Sequence, residues 1–231
     1  MEIVKLNSVR DAIQDELLYD DRNDLLQHLL SRGAKVIIFA GAVRDTVLAH
    51  EYGHAGVEPR DWDIGIAGIP RKEFDGLMGE VRGLKNKYGG FKLLSRSCQS
   101  WEIWRQEDTI GLQKTKSSFS LKNLLRSFVL RCNAIAFDLD TGYFHDHGAL
   151  CSIARGEISV LEDAIMHDWE IFAAKALTLT FRRPLKLDTQ MEKFILTHLK
   201  REAVVHEFLK AYSQTEFLFD LPRINETHAR D

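Results

Sequence analysis

The sequence predicts an α+β fold, with a mixed β-sheet and flanking helices in front and a short helical segment behind. Three observations lead there. Short apolar or alternating runs at 35–41 (KVIIFAG), 61–68 (DWDIGIAG) and 101–106 (WEIWRQ) read as strands. Stretches with helical spacing of apolar residues lie between them. From about residue 162 the pattern is helical to about 212, with a break near Arg183–Pro184. The expected organisation is a head over 1–157 and a helical segment over 158–231.

In chain order, Val9, Ile13, Leu17, Leu18, Leu25, Leu26, Leu29 and Leu30 recur at helical spacing over 8–32. They make one amphipathic helix or two shorter ones, with Gly33 as C-cap. The strand 35–41 ends in a small-residue turn, and 42–50 (AVRDTVLAH) resumes a helical pattern. A loop with Gly and Pro leads to the strand 61–68. Pro70, in a favoured first-turn position, opens a helix over 70–86. The turn KYGG (87–90) precedes a strand pair, 91–95 with 101–106. Residues 121–140 read as a short helix leading into a long strand, closed by the turn at Thr141–Gly142. The tail from Asp220 reads as loose.

Composition narrows the function classes. The chain has 231 residues, 45% hydrophobic and 28% charged, which suits a globular protein with a real core. No apolar run approaches the roughly 18 residues a membrane span needs. The N-terminus lacks the basic-then-apolar order of a secretory signal. Cys98, Cys132 and Cys151 are odd in number and show no CxxC spacing, which suits a reducing compartment. A cytoplasmic protein is expected. The net charge is −3, but residues 71–131 carry 13 basic and 6 acidic groups, a balance of +7. That third suits a phosphate-rich partner or a solvated surface.

Asp61 and Asp63 stand at i and i+2 on a strand, so their carboxylates share one face while Trp62 and Ile64 face the other way. Two acids on one face repel unless a cation lies between them. Hard oxygen ligands suit Mg²⁺ or Mn²⁺. Upstream, IFAGAVRD is strand, turn and helix start. Free N–H groups and the helix dipole favour a phosphate there, and Gly41 lets the backbone approach it. Arg44, on the first helical turn, either contacts a phosphate or ribose or pairs with Asp45. A phosphate cradle beside an acid pair is the equipment of phosphoryl or nucleotidyl transfer.

FAGAVRD followed by RDWDIGI resembles the head-domain signature of the poly(A) polymerase and tRNA nucleotidyltransferase family, within the DNA polymerase beta-like nucleotidyltransferases. Gly41, Val43, Arg44, Asp45, Asp61 and Asp63 match, and Ala40 replaces the family's first glycine. The segments 133–150 and 158–182 continue the likeness, which covers roughly 33–185. The resemblance implies an NTP donor, a two-metal mechanism and an RNA acceptor, a tRNA 3′ end in particular. It places Ala40, Gly41, Arg44 and Asp45 at the nucleotide, and Arg131 is assigned there from the basic third. It also implies a third carboxylate on a neighbouring strand. Strand alternation favours Glu102, between Trp101 and Ile103, with Asp138 as rival. Asp61, Asp63 and Glu102 are thus the expected catalytic and metal-binding residues. The chain departs from the family in two places. No Asp accompanies Arg126 and Arg131 before the asparagine-alanine strand, and Phe172 stands where the family's base-selecting arginine would be.

Other readings compete. VLAHEYGHAG contains H-E-x-x-H, in which His50 and His54 would bind zinc and Glu51 would act as base of a metalloprotease if all three lay on one helix. The chain also reads as a catalytically degenerate nucleotide- or RNA-binding module. A small molecule or a protein hydroxyl could replace RNA as acceptor. Trp101 and Trp104 suggest either a base-stacking platform or core.

Overall fold

The computed structural model describes residues 1–20, 22–94, 99–165 and 168–198. Cys98, the helix expected beyond 198 and the tail from Asp220 lie outside them. In chain order the elements are β1 (Glu2–Val4), α1 (Asn7–Tyr19), α2 (Asn23–Ser31), β2 (Lys35–Phe39), α3 (Gly41–His50), β3 (Asp61–Ala67) and α4 (Arg71–Glu80). β4 (Leu84–Lys85), β5 (Phe91–Leu94), β6 (Ser100–Arg105), α5 (Ile110–Thr115), α6 (Leu121–Arg126), β7 (Ile135–Asp138) and β8 (Phe144–Asp146) follow. The C-terminal part holds α7 (Ala149–Ala154), β9 (Glu157–Ile158), α8 (Trp169–Arg182), β10 (Lys186–Leu187) and α9 (Thr189–His198).

Eight strands form one sheet in the order β1-β8-β7-β2-β3-β6-β5-β4. β3 and β6 run parallel, and the other neighbours are antiparallel. The sheet is therefore mixed and the fold α+β, as expected. Period-two alternation divides its side chains. Val36, Ile38, Trp62, Ile64, Trp101 and Ile103 enter the main core, with Ile13 and Leu26 of the first two helices and Phe74 of α4. Ile37, Phe39 and Ala136 face the other way, into a smaller core with Leu112 of α5 and Leu124 and Leu125 of α6. These helices cover only part of that face and leave the end of β3 that carries Asp61 and Asp63 open to a cleft.

Several boundaries differ from expectation for local reasons. The first helical run is two helices, because Asp20 accepts both the backbone N–H and the guanidinium Nε of Arg22, each at 2.9 Å, and turns the chain. α4 stops at Glu80, since Arg82 takes φ +57° before Gly83. The long strand expected before 140 is only Ile135–Asp138. Ahead of it, Ser127 bonds back to the carbonyl of Leu124 at 2.7 Å, Val129 takes φ +62°, and a single 3₁₀ turn spans Arg131–Asn133. The expected boundary at 157/158 falls within β9, which pairs in parallel with β10. No helix among the described residues is long and apolar enough to cross a membrane.

Candidate active site

Register brings the acids together. Asp63 stands opposite Glu102 across the parallel β3–β6 pair, and Asp61 stands opposite Ser100. Phe39 is opposite Asp63 on β2, and its ring packs 5.6 Å from that of Trp104 and 5.7 Å from that of Phe128. Gly65 makes room for that ring. A Cβ at 65 would lie 2.5 Å from Phe39 Cε2 and 2.9 Å from Gln106 Cγ. The acids thus stand on an aromatic floor, at the rim of a cleft of about 360 Å³.

Asp63 shows the electrostatic consequence. Burial first, then the charges of Asp61 and Glu102, push its carboxyl up to about 7, against the pull of Lys175 and Arg60. Arg60 hydrogen-bonds Asp61 Oδ2, through Nε at 3.1 Å and through Nη2. In this arrangement no three His, Cys, Asp or Glu side chains among the described residues are set closely enough to hold a metal ion. Asp61 is turned to a guanidinium rather than to its neighbours, so the acids share a face without converging on a point. The donor chemistry nevertheless fits a hard divalent cation. Three carboxylates share one sheet face, and burial together with the charges of the other two raises the pKa of Asp63.

The second wall is the start of α3. Ala40 precedes it with φ +52° and ψ −108°, a conformation natural to glycine, so the turn persists even though alanine stands there. Its N–H bonds Ile135 O at 3.0 Å, and no side chain caps the helix. The first-turn N–H groups are left to a ligand or water. Gly41 lines the cleft, and a Cβ on it would meet nothing closer than Arg44 Nη2 at 3.8 Å. Gly41 is therefore set by access to the cleft, not by crowding within the protein.

Behind this turn lies a buried ionic cluster. Arg44 is 5% exposed and Asp45 2%. Arg44 Nε donates to Asp45 Oδ1 at 2.8 Å, and its Nη1 donates to Asn133 Oδ1. Arg183 grips the same carboxylate, Nε to Oδ1 at 2.9 Å and Nη2 to Oδ2 at 2.7 Å. Burial works against the charge of Arg44, but Asp45 more than compensates and its pKa is raised. Arg44 pairs with Asp45, one of its two expected roles, and also lines the cleft. Asp45, itself part of the cleft lining, anchors two guanidiniums.

The third wall is α8, whose Phe172, Lys175, Thr178 and Leu179 face the cleft, with Arg182 and Arg183 at its end. Lys175 Nζ lies 5.8 Å from the Phe172 ring centroid. Lys175, Arg60, Asn133 and Arg183 are cleft residues that sequence reading did not select. Arg183 had a usable signal. It precedes Pro184, which favours extended backbone, and its φ −132° and ψ 154° end α8.

Other expected residues sit elsewhere. Arg131 does not line the cleft, and its Nη2 pairs with Glu162 at 3.2 Å. Asp138, the rival third carboxylate, accepts the N–H groups of Asp140 and Thr141 at 3.0 and 3.2 Å and closes the Thr141–Gly142 turn. The zinc reading fails on geometry. α3 ends at His50, so Glu51 and His54 lie beyond it and the histidines share no helical face. Glu51 instead accepts a hydrogen bond from Ser8 Oγ. Trp101 is fully buried beneath the Arg22 guanidinium, 4.4 Å from its ring centroid, and is core. Trp104 donates Nε1–H to Thr109 Oγ1 at 2.9 Å.

Neither a protein-family model nor a curated protein sequence matches this chain. Solved structures do. A CCA-adding enzyme in complex with ATP aligns with TM-score 0.65 and 17% identity, over 93% of this chain and 51% of that one. One in complex with CTP gives 0.59 and 18%, over 93% and 48%. The Thermotoga maritima CCA-adding enzyme complexed with tRNA gives 0.56 and 17%, over 93% and 48%. The chain thus shares the fold of these enzymes and spans about half their length.

Proposed function

We propose that this protein is a metal-dependent nucleotidyltransferase, moving an NMP group from an NTP to an acceptor hydroxyl at an RNA 3′ end, tRNA first among RNAs. The observation that carries this reading is the register that sets Asp63 beside Glu102, with Asp61 on the same face, between an uncapped helix N-terminus and a cationic helix wall. Bound CTP, ATP and tRNA in solved structures of this fold support an NTP donor and an RNA acceptor.

The chain's parts then divide the work. N–H groups of the first turn of α3 receive phosphate oxygens, favoured by the helix dipole. Lys175 and Arg60, whose charges already act on Asp63, balance the triphosphate. Asp61, Asp63 and Glu102 would hold Mg²⁺ or Mn²⁺. When bound, the ion would lower the pKa of the acceptor hydroxyl and neutralise charge on the phosphate under attack. The hydroxyl oxygen bonds the α-phosphorus, the bond to the β-phosphate oxygen breaks, and pyrophosphate leaves. Asp45 keeps Arg44 and Arg183 in place at the cleft wall. We assign the chemistry to 1–157 and, within the segment 158–231, the closing wall to α8 and Arg183.

The test is incubation of the pure protein with each α-labelled NTP, Mg²⁺ and total RNA, followed by a denaturing gel. The expected result is label in an RNA band, abolished in an Asp61→Ala, Asp63→Ala double variant that still folds. Label confined to protein or small molecules would overturn the RNA acceptor. Nucleotide binding with no transfer to any acceptor would make the chain a binding module.

A further inference from the structure

The hairpin at the sheet edge takes no part in the site described above. From Val81 to Trp101 the sequence carries Arg82, Lys85, Lys87, Lys92 and Arg96 and no carboxylate. Elsewhere in the basic third, Arg71 pairs with Asp108, Arg105 with Glu107, Lys114 with Asp168, Arg126 with Asp163 and Arg131 with Glu162, whereas Lys72, Lys116 and Lys122 form no ion pair among the described residues. Within the hairpin Lys85 pairs with Asp75 at 3.0 Å, while Arg82 and Lys92 form no ion pair among the described residues.

Register places this charge. Lys92 stands opposite Glu102, and Leu84 stands opposite Lys92. Asp63, Glu102, Lys92 and Leu84 therefore form one row across the cleft face of the sheet. With strands about 4.8 Å apart, β5 lies about 5 Å and β4 about 10 Å beyond Glu102. The turn between β4 and β5 is ordered. Asn86 Oδ1 accepts the N–H groups of Tyr88 and Gly90 at 2.9 and 3.0 Å. Tyr88 is 48% exposed and Leu84 66%, and Lys87 Nζ lies 4.8 Å from the Tyr88 ring centroid.

We infer that this edge is the acceptor track: single-stranded RNA lies across β5 and β4 with its backbone on Lys92 and Lys87 and a base on Tyr88, so that its 3′ end reaches Glu102. The inference rests on the transfer reading above for the role of Glu102. Cations interleaved with an exposed aromatic are what a single strand needs, phosphate neutralisation plus a stacking surface. Edge lysines also deter strand-to-strand aggregation. That duty needs neither alignment with the acids nor an exposed ring.

The experiment measures binding of a labelled short single-stranded RNA, without NTP, between about 50 and 200 mM salt. Wild type is compared with a Lys87→Gln, Lys92→Gln double variant, Tyr88→Ala and Lys92→Arg. Each lysine–phosphate contact on a single strand contributes about 0.7 to the salt slope, which is about fivefold in affinity near 0.1 M salt. The double variant should bind about 25-fold more weakly, with a slope reduced by about 1.4. Tyr88→Ala should weaken binding without changing the slope, and Lys92→Arg should bind as wild type. NTP binding and melting should be unchanged in all three variants, which separates a lost track from a lost fold. An unchanged Kd and slope in the double variant, or no RNA binding by wild type at low salt, would overturn the inference. RNA held by this edge but never extended would refute the transfer reading alone. Extension with an unchanged slope would refute the track alone.

Discussion

Asp45→Ala removes the carboxylate that holds the guanidiniums of Arg44 and Arg183 in the cleft lining. Asp45 receives Arg44 Nε at 2.8 Å, Arg183 Nε at 2.9 Å and Arg183 Nη2 at 2.7 Å. Arg44 would keep only Asn133 as a named partner, in a site that is 5% exposed. Breaking a buried pair from one side costs about 3–5 kcal/mol, because the remaining charge stays desolvated. In a chain of this length each kcal/mol lowers Tm by roughly 2–4 °C, so the expected fall is roughly 6–20 °C. Arg183→Ala should cost less, about 1.5–3 kcal/mol, since Asp45 retains Arg44. Thermal and denaturant unfolding of both variants would measure this. The cluster also ties the end of α8 to α3, so Arg183→Ala should raise the KM for NTP. An Asp45→Ala variant within about 1 kcal/mol of wild type would refute the reasoning, as would an Arg183→Ala variant the less stable of the two.

Three further outcomes are expected. Asp63 has its pKa raised to about 7 by burial and by Asp61 and Glu102, so the metal-free folded protein binds a proton there that the unfolded chain has released. Its contribution should fall as pH rises from about 4 to 7, added Mg²⁺ should stabilise more at pH 8 than at pH 6, and Asp63→Asn should abolish both effects in melting curves. Gly65→Ala should cost about 1–3 kcal/mol by driving a methyl against the Phe39 ring, read by denaturant unfolding and by a shift of the aromatic floor in near-UV spectra. Ala40→Gly should stabilise by about 1 kcal/mol, since relief of a positive φ exceeds the added freedom of the unfolded chain; a loss of stability would contradict it.

Much of this arrangement was legible in the residues themselves. Alternation in DWDIGIAG and SWEIWR put Asp61, Asp63 and Glu102 on one face, and the parallel β3–β6 register set Asp63 beside Glu102. The strand-turn-helix at 35–50 was equally plain, because small residues and an apolar run leave few alternatives there. What could not be read was long-range. Nothing near Asp45 in sequence reveals Arg183, 138 positions away. The zinc-like histidines depend on where α3 ends: it stops at His50, and Gly53 and Gly56 take positive φ in the loop that follows. β4 and β9, two residues each, are too short for periodicity to register. The charge of Arg131 points to a nucleotide, but the 3₁₀ turn it begins carries its side chain to Glu162 instead.

The most direct test of nucleotidyl transfer follows the two ends of one NTP. Parallel reactions would contain α-labelled or γ-labelled nucleotide, Mg²⁺ and the RNA extended in the gel assay. The account predicts that α-label enters RNA, that γ-label leaves as pyrophosphate in equal amount, and that neither occurs with Asp63→Asn. Transfer of γ-label to the acceptor, or undiminished incorporation by Asp63→Asn, would contradict it.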